Sequence, residues 1–490
     1  MKESFNNKIV KKIVGEGGVI DDNEKLQKYS SDYSNVPSIA PAMVVKVRED
    51  GEVPEVIRQC NDEGLSVYPS SSQVHFYGGT IPRKKGAVVM DLSGLNKIHE
   101  VDELSHWVHI GPGVTWGQLQ MDIEKVGYRS IIPLLPHSNR SVVTDWLERE
   151  APTACKFECN ETIASMWVTW GLGESFVTGS ASVDNFRKEG CFADGVNPQG
   201  PGSIDFWRLL QGSQGTFGIV TKAICKIELL PSVSKAVFFT SGDLSNLIPP
   251  LYEMGKRYVG FERFIVNDVT LAAILGDINL KSSLPGWTII NVLIGLPAGR
   301  PDDMVAYQLD YVRNELKDKF PEITISERLE GAPAGTEEKL PEMLRKPWPE
   351  NKVFWKHVAK GNCQELIFTT LLSKTPRLTA IVKNIALEHC YSVDDVGVYI
   401  QPLEDMRACQ ISFMLPFDDK NAEESNNVQR LYHRAIIEVL NEGGYFNRIY
   451  GGIGDVVYTL PRVQGYVKQV RRLRSLFDPN GILSPGKLCF

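Results

Sequence analysis

No C-x-x-C pair occurs in this sequence of 490 residues, although nine cysteines are scattered along it. Zinc ribbons and iron–sulfur clusters take their ligands from such closely spaced cysteines, so the sequence predicts neither. Cys155 and Cys159 lie four positions apart and can share one face of a helix. That spacing alone is weak support for a metal or redox site, and we expect none there.

Long apolar runs are also missing. The longest candidate, residues 287–298, is interrupted by Asn291, Gly295 and Pro297, whereas a membrane-spanning helix needs about 18 apolar residues. The first residues, MKESFNNKIVKKIVGEGG, lack the apolar core of a signal peptide. We therefore expect a cytoplasmic protein without a transmembrane segment.

A basic excess is absent as well. Lysine and arginine total 53 against 60 aspartate and glutamate residues, a formal net charge of -7. Nucleic-acid binding and electrostatic membrane anchoring both need a basic surface, so neither is expected. The chain is 42% hydrophobic and 23% charged, which is ordinary for a globular protein with a large core. Its length predicts two to four domains.

The pattern of elements is α+β. Short β and α segments alternate from residue 41, and a helix capped by Ser203 is expected to run to Gln211. Residues 1–35 are predicted to be a helical segment. The length of the predicted elements changes near residue 232. Longer amphipathic helices are predicted after it, together with strands and a basic helix near the C-terminus; their ranges are 303–320, 422–441, 288–294, 397–402, 410–415 and 459–476.

A glycine-rich turn occupies residues 212–218, GSQGTFG. A Rossmann dinucleotide site needs a strand, then glycines, then a helix, and here the order is helix, glycines, strand. No Walker G-x-x-x-x-G-K-[ST] motif is present either. The turn can expose backbone N–H groups to an anion, or it can be a plain turn.

Three further motifs accompany this turn. A strand runs into the hydroxyl-rich loop VYPSSSQVHFYGG at 67–79, which can donate to a phosphate or be a polar turn. MDLSGLN at 90–96 is followed by IGPGVTWGQL at 110–119. The C-terminus carries FDPNGILSPGK at 477–487.

Together and in this order, these motifs resemble the FAD-linked oxidases of the vanillyl-alcohol oxidase / p-cresol methylhydroxylase superfamily. WRLLQGSQGTFGIVTKAICKIELLP and the tail are its most specific parts. The resemblance implies an FAD-binding domain of two α+β subdomains at 1–236, with a core at about 38–231. It also implies an α+β cap domain with an antiparallel sheet at 237–454, and a tail at 455–490 that returns to the FAD domain.

The same resemblance implies four FAD contacts. The phosphate loop falls on 69–75, where this chain has Ser71, Ser72, Gln73 and Val74 in place of a run of glycines. His75 lies where one branch of the superfamily carries a flavin-linked histidine, so covalent attachment there is one alternative and hydrogen bonding the other. The implied contacts are Pro69, Ser70, Ser71, Ser72, Gln73, Val74 and His75; Pro112, Gly113 and Val114; Pro136, Ser138, Ser141 and Thr144; and Gln214, Gly215, Thr216, Gly218, Ile219 and Val220.

Substrate-facing residues are implied in the cap. Strand alternation puts Tyr399 and Gln401 on one face, which suits a substrate pocket or a solvent-facing edge. Several relatives have a histidine near the position of Gln410. The glutamine of this chain cannot act as a base. Arg407 is a candidate clamp for a carboxylate or a member of a surface ion pair. Arg448 and Tyr450 lie where relatives place groups near the substrate.

The expected function is an FAD-dependent oxidoreductase that passes a hydride from a CH–O carbon to flavin N5. The substrate is a small hydroxy acid or a phenolic or benzylic alcohol. Oxygen, a quinone, a cytochrome or another flavoprotein would accept the electrons, and a homodimer is possible. The alternatives are a redox-neutral enzyme like alkyl-glycerone-phosphate synthase and a non-catalytic scaffold subunit.

Overall fold

The computed structural model describes residues 7–72, 74–154, 162–182, 202–297 and 299–490. In these residues the chain builds three β-sheets with helices packed on them, an α+β architecture as predicted. The Cys155–Cys159 pair lies outside the described residues. Within the described ranges, no helix is both long and apolar enough to span a membrane.

The first sheet has four strands in the order β1-β2-β4-β3. Strand β4 pairs in parallel with β2 and with β3, and these strands are almost wholly buried because helices and the tail cover them. The elements are α1 (Asn7–Val14), β1 (Val19–Ile20), α2 (Asn23–Gln27), β2 (Met43–Lys46), α3 (Glu52–Asp62), β3 (Val67–Ser70) and β4 (Val88–Asp91).

The second sheet has six strands, in the order β5-β6-β10-β8-β9 with β7 also paired to β10. Its long central strand β10 follows the glycine-rich turn directly. The elements are β5 (Ile98–Asp102), β6 (Trp107–Ile110), α4 (Trp116–Glu124), β7 (Tyr128–Ser130), α5 (Val142–Leu147), β8 (Ile163–Thr169), β9 (Ser175–Val177), α6 (Trp207–Leu210) and β10 (Ile219–Leu229).

The third sheet is antiparallel and has seven strands in the order β14-β11-β13-β12-β16-β17-β15. Its strands and helices are β11 (Val233–Ser241), α7 (Leu244–Arg257), β12 (Glu262–Asn267), α8 (Asp268–Ile274), β13 (Trp287–Gly295), α9 (Pro301–Tyr311), α10 (Lys317–Lys319), β14 (Thr324–Ser326), α11 (Thr336–Met343), β15 (Asn362–Thr370), α12 (Thr375–Glu388), β16 (Gly397–Leu403), β17 (Ala408–Phe417) and α13 (Ala422–Asn441). Two cores of buried side chains form on its two faces. The predicted cap with an antiparallel sheet is confirmed.

The last elements, α14 (Ile453–Val457) and α15 (Gln464–Phe477), lead into a tail that extends the first sheet. Val67 donates to Ile482 O and Ser484 donates to Val67 O, both at 2.8 Å. Asp478 accepts hydrogen bonds from the backbone of Ile482 and Leu483, which shapes the turn of the DPNG motif. The predicted boundaries at 237 and 455 stay predictions.

Some predicted elements are wrong in detail. The helix expected from Ser203 to Gln211 is a single turn, α6, that begins after Phe206 and has no side-chain cap. The helical reading of 1–35 is broken by β1, because Gly15 takes a positive φ of 79°. The helix predicted at 303–320 divides into α9, a π-helical turn and α10, whereas α13 has the predicted bounds.

One buried carboxylate joins the second and third sheets. Glu262 of β12 accepts hydrogen bonds from Arg129 of β7 at 2.5 Å and from Arg345, which follows α11, at 2.8 and 3.0 Å. Burial alone would raise the pKa of Glu262, but the two guanidinium groups hold it below its usual value of 4.5. The ionised carboxylate is therefore part of the folded state.

We expect Glu262→Gln to lower the free energy of unfolding by about 3–5 kcal/mol, because it leaves the buried Arg345 without a carboxylate and Arg129 with Glu228 alone. The carboxylate's contribution is present above pH 4.5 and is lost as the pH falls through the lowered folded-state pKa. Urea unfolding at neutral pH measures the change, with the exposed Glu388→Gln as the matched control. Equal stability of both variants would contradict this role.

Candidate functional site

Residues from all four predicted cofactor segments line one groove of about 680 Å³ between the first and second sheets. Ser71 comes from the loop after β3, Pro112 from the turn after β6, and Thr144 from α5. The remaining groove residues that the sequence predicted are Pro69, Gln214, Gly215, Gly218, Ile219 and Val220. The structure therefore brings these distant segments together, and their contact with FAD stays a prediction.

The glycine-rich turn shapes one wall of this groove. Gln214 and Gly215 both have positive φ, 54° and 74°. A Cβ on Gly215 would lie 2.6 Å from the ring of Pro69, so only glycine permits the turn to pack against the end of β3. The side-chain amide of Gln214 donates to Ile449 O and anchors the turn to the chain after α13.

The phosphate loop is held mainly by its own contacts. Ser70 Oγ donates to Ser72 O at 3.0 Å, and Ser72 Oγ donates to Val74 O at 3.3 Å. Val74 O in turn accepts from Arg140. Ser71 is the loop hydroxyl that reaches the groove, where its Oγ contacts Thr144 Oγ1. Gln73 lies outside the described residues.

The structure does not favour His75 as a flavin attachment point. Its ring is buried, and its Nε2 atom lies 2.5 Å from Ser72 O and 3.1 Å from Ser70 Oγ. Burial lowers the pKa of His75 to about 3, so the ring is neutral. The imidazole lines neither this groove nor the cavities described below.

Other predicted cofactor residues support the groove from behind. Val114 is fully buried in the core of the second sheet, and a Cβ on Gly113 would lie 2.5 Å from Ser93 O. Ser141 Oγ donates to Pro112 O and accepts from the Thr144 backbone at the start of α5. Thr216 is buried against Ser213 O. Ser138 contacts Trp348 O, away from the groove.

Several groove residues were missed by the sequence reasoning. They are Gly79, Thr80, Leu92, Val143, Leu147, Glu148, Leu210 and Ser213. Helical spacing could have indicated two of them. Leu147 and Glu148 follow Thr144 by three and four positions, so they lie on the same side of the helix as Thr144. Gly79 belongs to the quoted loop, but the loop's fold decides that it faces Glu148 and Tyr450.

The groove suits a phosphate-linked ligand that is bound by hydroxyl groups and by backbone N–H groups. Ser71, Thr80, Thr144 and Ser213 supply hydroxyl groups, and among its described lining residues there is no lysine or arginine. Ser484 Oγ, 3.1 Å from a Cβ placed on Gly215, is buried without a hydrogen-bond partner in the described structure. This hydroxyl lies behind Gly215 and outside the lining, so the hydroxyl groups of the lining are what suit the groove to such a ligand.

A second cavity, which we call the ring cavity, has a volume of about 550 Å³ and lies against the cap sheet. Strand register aligns its floor: Ile367 pairs with Ser412, which pairs with Tyr399. Glu365 lies two residues before Ile367 on β15, and Gln410 two before Ser412 on β17, so both share this face. The cavity is otherwise aromatic, with Phe76, Tyr77, Phe354, Trp355 and Tyr399 in its lining.

The charged groups of the ring cavity are paired. Arg140 contacts Asp145 and Glu148 and donates to Val74 O. Lys356 contacts Glu365. The lining holds three carboxylates, from Asp145, Glu150 and Glu365, against the two cations of Arg140 and Lys356.

A third cavity of about 990 Å³, the outer cavity, adjoins the other two. It shares Tyr77 and Glu365 with the ring cavity and Tyr450 with the groove. At its inner end Arg448 forms a two-fold pair with Glu150, at 2.7 and 3.0 Å, and lies 4.5 Å from the ring centre of Tyr77. Tyr77 also donates towards Glu150.

The predicted catalytic residues take different places. Tyr399 and Gln410 line the ring cavity, as does Pro136 from the cofactor set. Gln401 shares the face of Tyr399 but is fully buried, and it donates to backbone carbonyls and accepts from Tyr399. Arg448 and Tyr450 line the outer cavity.

Arg407 is not near any of these cavities. It lies exposed in the turn between β16 and β17 and donates only to Glu404 O, at 3.4 Å. The carboxylate clamp expected at this position is therefore not supported. Its place in the sequence, next to strand β16, could not reveal that Arg407 lies in a turn away from the cavities.

Comparison with known proteins agrees with this geometry. Residues 41–141 match the family model described as an FAD binding domain. The chain is 22% identical to the 4-cresol dehydrogenase (hydroxylating) flavoprotein subunit of Pseudomonas putida, over 98% of this chain and 95% of that protein. It is also 22% identical to the mitochondrial D-lactate dehydrogenase (cytochrome) of Arabidopsis thaliana, over 91% and 73%.

Solved structures share the whole fold. Substrate-bound p-cresol methylhydroxylase superposes with a TM-score of 0.83 at 18% identity, covering 99% of this chain and 96% of that one. The 4-ethylphenol oxidase of Gulosibacter chungangensis gives 0.82 at 16% identity, covering 98% and 95%. The expectation of an FAD-binding domain with a cap of this type is confirmed.

Glu148 makes stability depend on pH. Burial, assisted by Asp145 and Glu150, raises its pKa from 4.5 to about 7 against the opposing effect of Arg140. A raised acid pKa stabilises the fold most below pH 4.5, and the contribution is lost as the pH rises to about 7. We expect wild type to lose about 2–3 kcal/mol relative to Glu148→Gln between pH 5 and 8, by urea unfolding. A constant difference would contradict the shift.

The position of His75 predicts that FAD is not attached there. Acid precipitation of the wild type should leave no flavin bound through His75, so the flavin content of the pellet should be the same for wild type and His75→Ala. The measurement is the absorption of pellet and supernatant after digestion. A coloured wild-type pellet that turns colourless in His75→Ala would contradict this reading.

Proposed function

We propose that this chain, whose residues 41–141 match an FAD binding domain and whose fold is that of p-cresol methylhydroxylase, is an FAD-dependent oxidoreductase that oxidises a neutral phenolic or benzylic alcohol. The hydride would leave a CH–O carbon of that substrate in the ring cavity. The lining of this cavity is the observation that carries the proposal.

Aromatic walls favour an aromatic substrate. Phe76 stacks on Phe354 with ring centres 5.0 Å apart, and the ring of Tyr399 packs edge-on against Phe264 at 5.5 Å. Rings in such a cavity gain from offset or edge contacts with a substrate ring, beyond the area they bury. A small aliphatic hydroxy acid would leave most of this surface unused.

The charges of the cavity disfavour a carboxylate substrate. Both cations of the lining, Arg140 and Lys356, already contact carboxylates, and the lining carries one more acidic group than basic groups. Binding the carboxylate of a substrate would either break one of these pairs or bury an unpaired charge, and each costs several kcal/mol. A neutral alcohol avoids both costs.

Gln410 supplies a hydrogen-bond acceptor for such a substrate. Its side chain is buried, lines the cavity, and its Oε1 atom has no hydrogen-bond partner in the described structure. An unmade bond at a buried oxygen costs about 1–3 kcal/mol, which a substrate hydroxyl would recover. The hydroxyl of Tyr399 is engaged with Gln401 at 2.7 Å, so Tyr399 offers its ring rather than a free donor.

FAD, when bound, supplies the two-electron oxidation by accepting the hydride. The residues of this chain then have three tasks. The aromatic walls orient the substrate and exclude water, Gln410 binds its hydroxyl, and the paired charges keep the cavity from attracting anions. The electrons leave to an external acceptor, for which oxygen, a quinone, a cytochrome and another flavoprotein all stay open.

The two rival functions have less support. A redox-neutral synthase acting on a phosphate ester would need a cation free to meet the phosphate, and the cations of the ring cavity are paired. A non-catalytic scaffold is disfavoured because the relatives named above are dehydrogenases that match most of this chain. The homodimer suggested by the resemblance stays a prediction.

Anaerobic bleaching of the flavin absorption band tests the proposal. We expect 4-hydroxybenzyl alcohol and other benzylic alcohols to bleach it with a kcat/KM at least about 100-fold above that of D-lactate or glycolate, because a carboxylate would be buried without a partner. Arg407→Ala is the control and should leave this ratio unchanged. Bleaching by the hydroxy acids with none by the aromatic compounds would overturn the proposed substrate class.

A further inference from the structure

The proposed oxidation needs a group that takes the proton of the substrate hydroxyl. Gln410, at the position where a base was considered, has an amide side chain and cannot do so. Burial raises the pKa of Tyr77 and of Tyr399 well above the usual value of 10, so both phenols stay protonated and act as donors. The base must be another residue of the ring cavity.

Most carboxylates of this cavity are already saturated. Asp145 accepts from Trp116 at 2.6 Å and contacts the Arg140 guanidinium. Glu150 holds Arg448 with both oxygens and also accepts from Tyr77. Protonation of Glu150 would leave the buried Arg448 guanidinium without its carboxylate, and protonation of Asp145 would leave Arg140 with Glu148 alone, so both are unfavourable.

Glu365 is different because one of its oxygens is open. Its Oε1 atom contacts Lys356, which balances the buried charge. Its Oε2 atom lies 3.1 Å from the Tyr77 hydroxyl, but that hydroxyl has one proton and lies closer to Glu150, at 2.7 Å. With the proton given to Glu150, Oε2 of Glu365 is an acceptor without a donor at the wall of the cavity.

Two further neighbours of Glu365 carry no charge. Tyr432 of α13 and Cys363 of its own strand also lie near it, and burial raises the pKa of both, so they stay neutral. Lys356 is its charged partner. Strand register puts Glu365 on the same sheet face as Gln410: Gln410 pairs with Thr369, four residues along β15 from Glu365.

We propose that Glu365 is the catalytic base, which binds the substrate hydroxyl together with Gln410 and takes its proton. The assignment rests on the proposed function. In the oxidation of a benzylic alcohol the O–H bond breaks and its proton moves to Glu365 Oε2. The electron pair of that bond forms the C=O bond, while the C–H bond breaks and its hydride is accepted by oxidised FAD. The product is the aldehyde or ketone.

The first test is the kinetics of Glu365→Gln with 4-methoxybenzyl alcohol, which has a single hydroxyl. We expect kcat/KM to fall by about 10²–10⁴ with little change in KM, since an isosteric amide keeps the shape and loses the base. The rise of kcat/KM with pH that a carboxylate base produces should disappear. Glu388→Gln, the same chemical change at an exposed site of the cap, should behave as wild type.

A binding measurement gives a readout that does not depend on turnover. The probe is 4-nitrophenol, whose phenolate is yellow. A carboxylate beside the bound hydroxyl disfavours ionisation of the probe, whereas Glu365→Gln leaves the Lys356 ammonium to favour it. Bound probe should therefore ionise at a lower pH in the variant than in wild type, by difference spectra.

The outcomes separate this assignment from the proposed function. Wild type that is bleached by the alcohol, with Glu365→Gln equally active and its pH profile unchanged, overturns the assignment alone. Wild type that no aromatic alcohol or phenol bleaches overturns the proposed function and the assignment with it. If Glu365→Gln does not fold, the double variant Glu365→Gln/Lys356→Met removes the pair together, and the same loss is expected.

Discussion

The buried guanidinium of Arg140 is the group on which the walls of the groove and of the ring cavity both depend. It contacts Asp145 in α5 and Glu148 directly after α5, and it donates to Val74 O in the phosphate loop. Its planar face lies 5.2 Å from the ring centre of Phe76. One cation therefore joins the loop, the helix and the aromatic wall. Buried charges of this kind are costly unless every hydrogen bond is made, so the elements around Arg140 have little freedom to move separately.

The same principle explains how the cavities stay distinct although they adjoin. Arg140 with Glu148 stands between the groove and the ring cavity, and Arg448 with Glu150 stands between the ring cavity and the outer cavity. In both pairs the charged side chains form the wall between two cavities. The pairing fixes the position of each side chain and leaves its charge unable to bind a free anion. The ring cavity is left with aromatic surfaces and with the open oxygens of Gln410 and Glu365. Its chemistry follows from which polar atoms the pairs leave unsatisfied.

Much of the fold was predictable because its signals are local. The run of residues located β13 and β16 to within one residue at each end, and the amphipathic pattern located α13 to the residue. Motif order indicated the four cofactor segments, which line one groove. The predictions that failed depended on distant contacts. Ser203 has the side chain of a helix cap, but the helix begins later, at Trp207, whose side chain is buried in the core of the second sheet. For two predicted site residues the surroundings were equally unreadable, since His75 lines none of the three cavities and Arg407 is exposed.

By itself the sequence determined the α+β class and the faces of the cap strands, because these depend on side-chain periodicity, and the resemblance of its motifs to a known family implied the FAD-binding domain. Only the tertiary structure decided which side chains meet. Glu148, Glu150 and Glu365 carry no motif, and their importance comes from burial beside Arg140, Arg448 and Lys356. Burial and pairing are properties of residues far apart in the chain. The sequence therefore could not show that Arg140, Arg448 and Lys356 are neutralised by carboxylates. Nor could it show that Glu365 has an oxygen available in the ring cavity.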